Sequence, residues 1–225
     1  SIAWTLSCAM LLTFTACLDE DDPAPNIPVA YVSLYHGSPD APALDIEVDN
    51  NQINTAPFNY AEYTGYLRFY TGDRNLKFGP YASSSVNIDT TVTFEPDKAY
   101  SVFVTDEFEN SGVLILNDNA DPAASGKANV RIINLSPDAG DINFMVAEAT
   151  GNWTEDLGFK EATEFMEVDA GEFDFQVRAS DTDELLLSIP DVNLQSRYFY
   201  TIIIRGYDSP PNGNTNVLAA QVVVN

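Results

Sequence analysis

Val32-Ser33-Leu34-Tyr35-His36-Gly37-Ser38-Pro39-Asp40-Ala41 returns 98 residues later as Val130-Arg131-Ile132-Ile133-Asn134-Leu135-Ser136-Pro137-Asp138-Ala139. A segment recurring at that spacing sets the domain count before any single strand is assigned, because each copy must bring its own supersecondary unit. Working outward, Leu44, Ile46 and Val48 correspond to Ile142, Phe144 and Val146, each alternating with polar residues. A period of two marks strands with one buried face. Tyr66 to Asp73 aligns with Phe165 to Glu172, placing Gly72 and Gly171 at a turn between two strands. Tyr100-Ser101-Val102-Phe103-Val104 and Tyr200-Thr201-Ile202-Ile203-Ile204 are the strongest strands, rich in β-branched and aromatic side chains. Final strands are expected near Val113 to Leu116 and Val217 to Val224.

No part of the body has a convincing amphipathic helical pattern. Each copy predicts about seven strands in roughly 95 residues, the count and size of an immunoglobulin-like sandwich. The expected fold is all-β: two tandem immunoglobulin-like β-sandwiches, residues 29–118 and 128–225, joined by a linker at 119–127. Tyr100 and Tyr200 open the penultimate strand, where a tyrosine corner would bond its hydroxyl to nearby backbone; a plain core or cross-strand tyrosine is the alternative. Every core strand of one copy has a counterpart in the other, so the copies are expected to fold separately. The apolar run Val217 to Val224 could still be lent to the first domain or to another molecule.

Apolar residues make up 45% of the 225, enough for one large core or two of ordinary size, so disorder is not the default. Thirty-four acidic residues against ten basic ones give a charge of −24, which repels a phosphate backbone and argues against nucleic-acid binding. Asp45-Glu47-Asp49, Asp106-Glu107-Glu109 and Asp118-Asp121 could offer oxygens to Ca²⁺, but none has calcium-loop spacing, and a solvated surface is the plainer reading. No cofactor is expected. His36 is the single histidine and its counterpart is Asn134, so a shared chemistry cannot need imidazole; a hydrogen-bonding role at a strand end is expected. Ser38-Pro39-Asp40 and Ser136-Pro137-Asp138 have turn composition. With no nucleophile, base and acid set, no enzyme is expected. Trp153, read as an aromatic in a polar loop, is a candidate ligand contact, with cover for the core as the alternative.

The N-terminus addresses location. Ser1 to Ala16 (residues 1–16) is uncharged and apolar or small, and too short to span a bilayer as a helix, so it reads as a signal peptide. Neither an initiator Met nor a basic segment precedes it, so a few further residues are expected upstream. Phe14-Thr15-Ala16-Cys17 resembles a lipobox, with Phe14 where Leu is usual, which implies lipidation of Cys17. Asp19, Glu20, Asp21 and Asp22 open an acidic, Pro-rich tether over residues 17–28. That cluster resembles the export signal of surface lipoproteins in Bacteroidetes. The expected site is the outer membrane, lipid-anchored and facing the cell exterior, with the periplasmic face as the alternative. Cys8 and Cys17 both precede the body, so no disulfide staples it.

His36-Gly37-Ser38-Pro39-Asp40-Ala41-Pro42 resembles the His-x-Ser-Pro-Asp-Ala-Pro opening of a family of bacterial extracytoplasmic repeats catalogued as a domain of unknown function. The resemblance runs from about Val29 to Leu116 and again, in degraded form, from Ala128 to Val224, with Asn134 for His36 and Gly140 for Pro42. It implies a sandwich in a secreted or anchored protein and brings no activity. The functional expectation is a non-enzymatic surface lipoprotein that binds a protein partner or a glycan through loops at the sandwich ends. The alternative is a stalk, fibre subunit or accessory piece of an outer-membrane complex.

Overall fold

The structure is a computed structural model, and it describes residues 27–149 and 151–225. The signal peptide, Cys17 and the acidic cluster Asp19 to Asp22 lie outside the described residues. The first half forms β1 (Val29–His36), β2 (Leu44–Val48), β3 (Asn51–Gln52), β4 (Tyr63–Tyr70), β5 (Gly72–Pro80), β6 (Ile88–Phe94), β7 (Ala99–Thr105) and β8 (Gly112–Asn117). The second half repeats the order as β9 (Lys127–Asn134), β10 (Ile142–Val146), β11 (Asn152–Leu157), β12 (Met166–Asp169), β13 (Gly171–Ala179), β14 (Leu185–Leu194), β15 (Phe199–Arg205) and β16 (Ala219–Val224).

Each half is a sandwich of two four-stranded sheets, in orders β4-β1-β7-β8 with β3-β2-β5-β6, and β12-β9-β15-β16 with β11-β10-β13-β14. The all-β sandwich expected from the sequence is found, with eight strands per repeat instead of seven. Parallel pairing of first and penultimate strands carries the repeat into three dimensions: Val32 lies opposite Tyr100, and Val130 opposite Tyr200. Both tyrosines form corners. The Tyr100 hydroxyl accepts from the Glu95 N–H at 3.3 Å, and that of Tyr200 from the Gln195 N–H at 2.9 Å.

Alternation along the strands fills each core from both of its sheets. Val32, Leu34, Ile46, Leu76, Phe78, Phe94 and Val102 are buried together in the first sandwich; Val130, Ile132, Phe144, Phe175, Val177 and Ile202 are buried in the second. In the C-terminal run, β16 pairs with β15 of its own repeat, from Tyr200–Val224 to Arg205–Ala219.

The two repeats have a core each and are also packed against one another. Residues of opposite parity on the same strands build a third core between the repeats: Tyr35 and Phe103 meet Ile133, Leu135, Ile203 and Val223. The β1 and β9 sheets therefore face one another, and the molecule is four sheets deep. Contact is close enough that a Cβ on Gly37 would stand 2.8 Å from the Val104 carbonyl and 2.9 Å from the Leu135 side chain. The segment between β8 and β9 is also braced. Ala123 is buried, and the Asp121 carbonyl accepts from Asn129 Nδ2 at 2.9 Å.

One buried polar cluster sits in this interface. Arg131 and Asp118, with side chains 2% and 1% exposed, pair at 2.7 Å across the two repeats. Arg131 also donates to Thr201 Oγ1 at 3.0 Å, and its guanidinium lies 4.5 Å from the centre of the Phe165 ring. Asp118 accepts from Ser101 Oγ at 2.6 Å and from the Tyr66 hydroxyl at 2.7 Å. By the repeat, Arg131 stands where the first copy has Ser33, so the sequence change between copies supplies the cross-repeat ion pair.

Candidate functional site

At the far end of β1 the repeat signature is a set of braces. His36 is fully buried, and its Nε2–H donates to the Pro42 carbonyl at 3.1 Å, since a carbonyl can only accept. Asn134 Nδ2 donates to the Gly140 carbonyl at 3.0 Å, six residues on, as in the first copy. Imidazole and carboxamide thus close the same loop. Asp40 accepts from the Phe108 N–H at 2.7 Å, and Asp138 accepts from the N–H groups of Asp208 and Ser209 at 2.7 and 2.9 Å. Each signature aspartate therefore holds the loop that follows the penultimate strand. Ser136 lies 3.4 Å from Asp138, and Ser38 is buried with no partner for its hydroxyl. Pro39 offers its carbonyl to Asn214 and Asn216 of the second repeat.

Burial holds the His36 imidazole pKa below its ordinary value, against smaller opposing effects of the Pro42 carbonyl and the nearby Glu62. The sign follows by linkage. Below about pH 6.5 the unfolded chain takes up a proton that the folded chain resists, so this contribution to stability is complete above that pH and is lost as pH falls. His36→Asn, which copies the second repeat, should fold and should shed that part of the acid sensitivity. Urea midpoints of the two proteins at pH 7.5 and 5.5 check it; parallel losses on acidification would contradict it.

The acids do not gather into an ion site. Among the described residues no group of three or more His, Cys, Asp or Glu side chains is placed to hold a metal ion. Several of the candidate ligands find partners instead. Asp45 accepts from Gln52 Nε2 and the Ala82 N–H, Asp106 pairs with Lys160, Glu107 accepts from the Tyr207 hydroxyl, and Asp118 is spent on Arg131. A concavity of about 510 Å³ is lined by Asp138, Gly140, Asp141, Asp156, Ser180 and Asp181. Its walls are acidic and carry little apolar surface with which to bury a ligand.

Trp153 stands on β11 and not in a loop. Its ring centre lies 4.8 Å from that of Phe175 and 5.8 Å from that of Phe173, both T-shaped, so it caps the second core.

A different surface has the makings of a recognition site, and no linear motif announced it. Where the edge strands of the first sandwich meet, Val48, Asn51, Ile53, Phe69 and Tyr70 line a groove of about 210 Å³ together with Asp49, Arg68 and Arg74. Asp49 and Asn50, at φ 51° and 63°, form the tight hairpin turn between β2 and β3 that sets one wall. Asp49 holds Arg74 at 2.8 Å and accepts from the Asn75 N–H at 3.0 Å, fixing the guanidinium in place. On β4, Tyr70 is 60% exposed, and Ile53, which lines the same groove, is 39% exposed. Tyr31 of β1 is also exposed and lies directly across from Arg68. Val29, at the start of β1, pairs directly with Tyr70 beside this groove.

Comparison with known proteins adds a family. The model described as "Domain of unknown function (DUF4397)" matches residues 30–145, just over half of the chain, from β1 through most of β10. No curated protein matches the chain. Two solved structures similar to it are carbohydrate-binding modules. One is a family 41 module for alpha-glucan recognition from streptococcal virulence factors: 13% identity, 81% of this chain and 95% of that chain covered, TM-score 0.25. The other is a family 26 module from Eubacterium rectale, solved in complex with maltoheptaose: 11% identity, 81% and 98% covered, TM-score 0.28. No helix among the described residues is long and apolar enough to cross a membrane.

Proposed function

Since the chain belongs to the DUF4397 family of domains of unknown function, we propose its function from its own geometry: a non-enzymatic binding protein that takes a glycan in the groove beside Tyr70. The observation that carries this reading is the groove's composition. An exposed tyrosine face and an apolar Ile53 can stack against the C–H face of a sugar ring. Arg68, Arg74 and Asn51 offer planar, directional donors around it. A volume near 210 Å³ is below the roughly 300–1,000 Å³ of pockets for drug-sized ligands, and suits one ring of a longer chain. Tyr70→Ala should reduce glycan binding at least tenfold while leaving the thermal midpoint within a degree or two, since a largely exposed side chain contributes little to the core. Titration calorimetry against an oligosaccharide panel reads the loss; unchanged affinity would remove Tyr70 from the site.

The same reading places the protein on the outer membrane through a lipid on Cys17, with the groove near the tethered end. Acyl chains contribute roughly 0.8 kcal/mol per buried methylene, so two or three hold a protein stably. Cys17→Ala should release the body from membranes. Retention after a high-salt and carbonate wash would refute the anchor. Surface exposure is a separate question: protease added to intact cells should remove the body, and Ala at Asp19 to Asp22 should protect it.

A further inference from the structure

Resting on the proposed glycan site, we infer that the groove selects acidic glycans, receiving a sugar carboxylate on Arg68 and Arg74 while the ring lies against Tyr70. Charge is the first argument. The whole chain carries only ten basic residues against thirty-four acidic ones. Two of the ten line this one groove, with Asp49 as the sole acid among its lining residues. Asp49 engages Arg74 through Nη1 and leaves the buried Arg74 Nε without a partner. Arg68 is exposed and makes no ion pair among the described residues. A free guanidinium beside a fixed one is suited to a planar carboxylate, which accepts two parallel N–H bonds.

The repeat supplies an independent argument. What the fold needs is present in both copies: the Ser-Pro-Asp signatures, the corner tyrosines Tyr100 and Tyr200, the turn glycines Gly72 and Gly171. What the groove uses is not. Arg68, Tyr70 and Arg74 of the first copy correspond to Glu167, Asp169 and Phe173 of the second, and the neighbouring Tyr31 to Asn129. There Asp169 is paired with Lys127 at 2.7 Å, and the Glu167 carboxylate accepts from the Ala124 N–H. The same position on the same sandwich is thus aromatic and cationic in one copy and acidic in the other. Stability does not require the first arrangement. Tyr31 and Tyr70 share one face of the β1–β4 pair with Arg68, Tyr31 directly across from it and Tyr70 two residues along.

The test uses the full chain and a defined panel: oligogalacturonate, hyaluronan oligosaccharides and sialyllactose, each beside a neutral counterpart (galactan oligosaccharides, chitin oligosaccharides and lactose). At least one acidic member should bind tighter than its neutral counterpart, and its affinity should fall as salt is raised from 50 to 500 mM, by roughly an order of magnitude for an exposed charge pair. Arg68→Gln should weaken that acidic member about tenfold, weaken its neutral counterpart by clearly less, and flatten the salt dependence. Neutral sugars binding as well as acidic ones, with Tyr70→Ala abolishing both, would overturn the acidic preference and keep the glycan site. No binding by any member would overturn both.

Discussion

Arg131→Ala should cost about 3–5 kcal/mol of stability, the largest single-residue effect expected in this protein, because it strands the Asp118 carboxylate 1% exposed between the repeats. Ser101 and Tyr66 would still donate to that carboxylate, but neither brings charge. Burial and the neighbouring carboxylate already push the Tyr66 phenol pKa up, so that hydroxyl stays protonated as a donor. Removing both charges should hurt less than removing one. In Arg131→Met with Asp118→Asn, the thioether fills the space under Phe165, while the amide keeps an oxygen for Ser101 and Tyr66. Chemical denaturation of the four proteins of this cycle measures the coupling. A double variant that loses the sum of the two single losses would show that the pair is not coupled, and that the interface rests on its apolar contacts.

Much of this arrangement was legible from the repeat. Val32 to Ala41 and Val130 to Ala139 located β1, β9 and the braces beyond them, and Tyr100 with Tyr200 marked the strands that pair with them. The second buried face was also written there, in the unbroken run Ile202-Ile203-Ile204 and in Ile132-Ile133. A strand with one wet face alternates, whereas a run that stays apolar at both parities reports cover on both sides. An arginine within Val130-Arg131-Ile132-Ile133 has a similar meaning, since a cation on a doubly covered strand needs a buried partner. Its partner was harder to find. Asp118 looked like one more surface acid in an acidic chain, and only the stacking of the sheets brings the two side chains together. Distance in sequence hid the groove for the same reason. Its residues come from 48–53, 68–70 and 74, three segments that adjoin only because β3 and β4 are edge strands of facing sheets. Trp153 misled through its neighbours: Gly151 and Asn152 read as loop, yet Asn152 opens β11 and the indole turns to Phe173 and Phe175.

The first repeat alone, residues 29–118, should keep its own core but should not stay monomeric. Its inner cluster, from Val32 and Leu34 to Phe94 and Val104, lies wholly within those residues, so a cooperative fold is available without the second half. Cutting the chain there uncovers the opposite face of the same sheet, where Tyr35, Phe103, Leu114 and Leu116 are packed against the second repeat. Burying one such side chain contributes roughly 1.5–3 kcal/mol, so a contiguous patch of four exposes more apolar surface than a soluble monomer normally carries. The natural cover is a second copy. The repeats already meet face to face through corresponding strands, Gly37 against Leu135 among them, and a self-paired first repeat would rebuild that contact with two-fold symmetry. Asp118, freed of Arg131, would regain water at the rim or oppose its own symmetry mate, which makes the self-pair weaker than the native interface and easily displaced. Sedimentation should therefore show a concentration-dependent dimer that dissociates when residues 127–225 are added in trans, and Phe103→Lys should yield a folded monomer that no longer takes up the second repeat. A wild-type first repeat that remains monomeric at high concentration, and ignores the added second half, would mean that the apolar contact between the sheets contributes little and that the two sandwiches are joined by the chain alone.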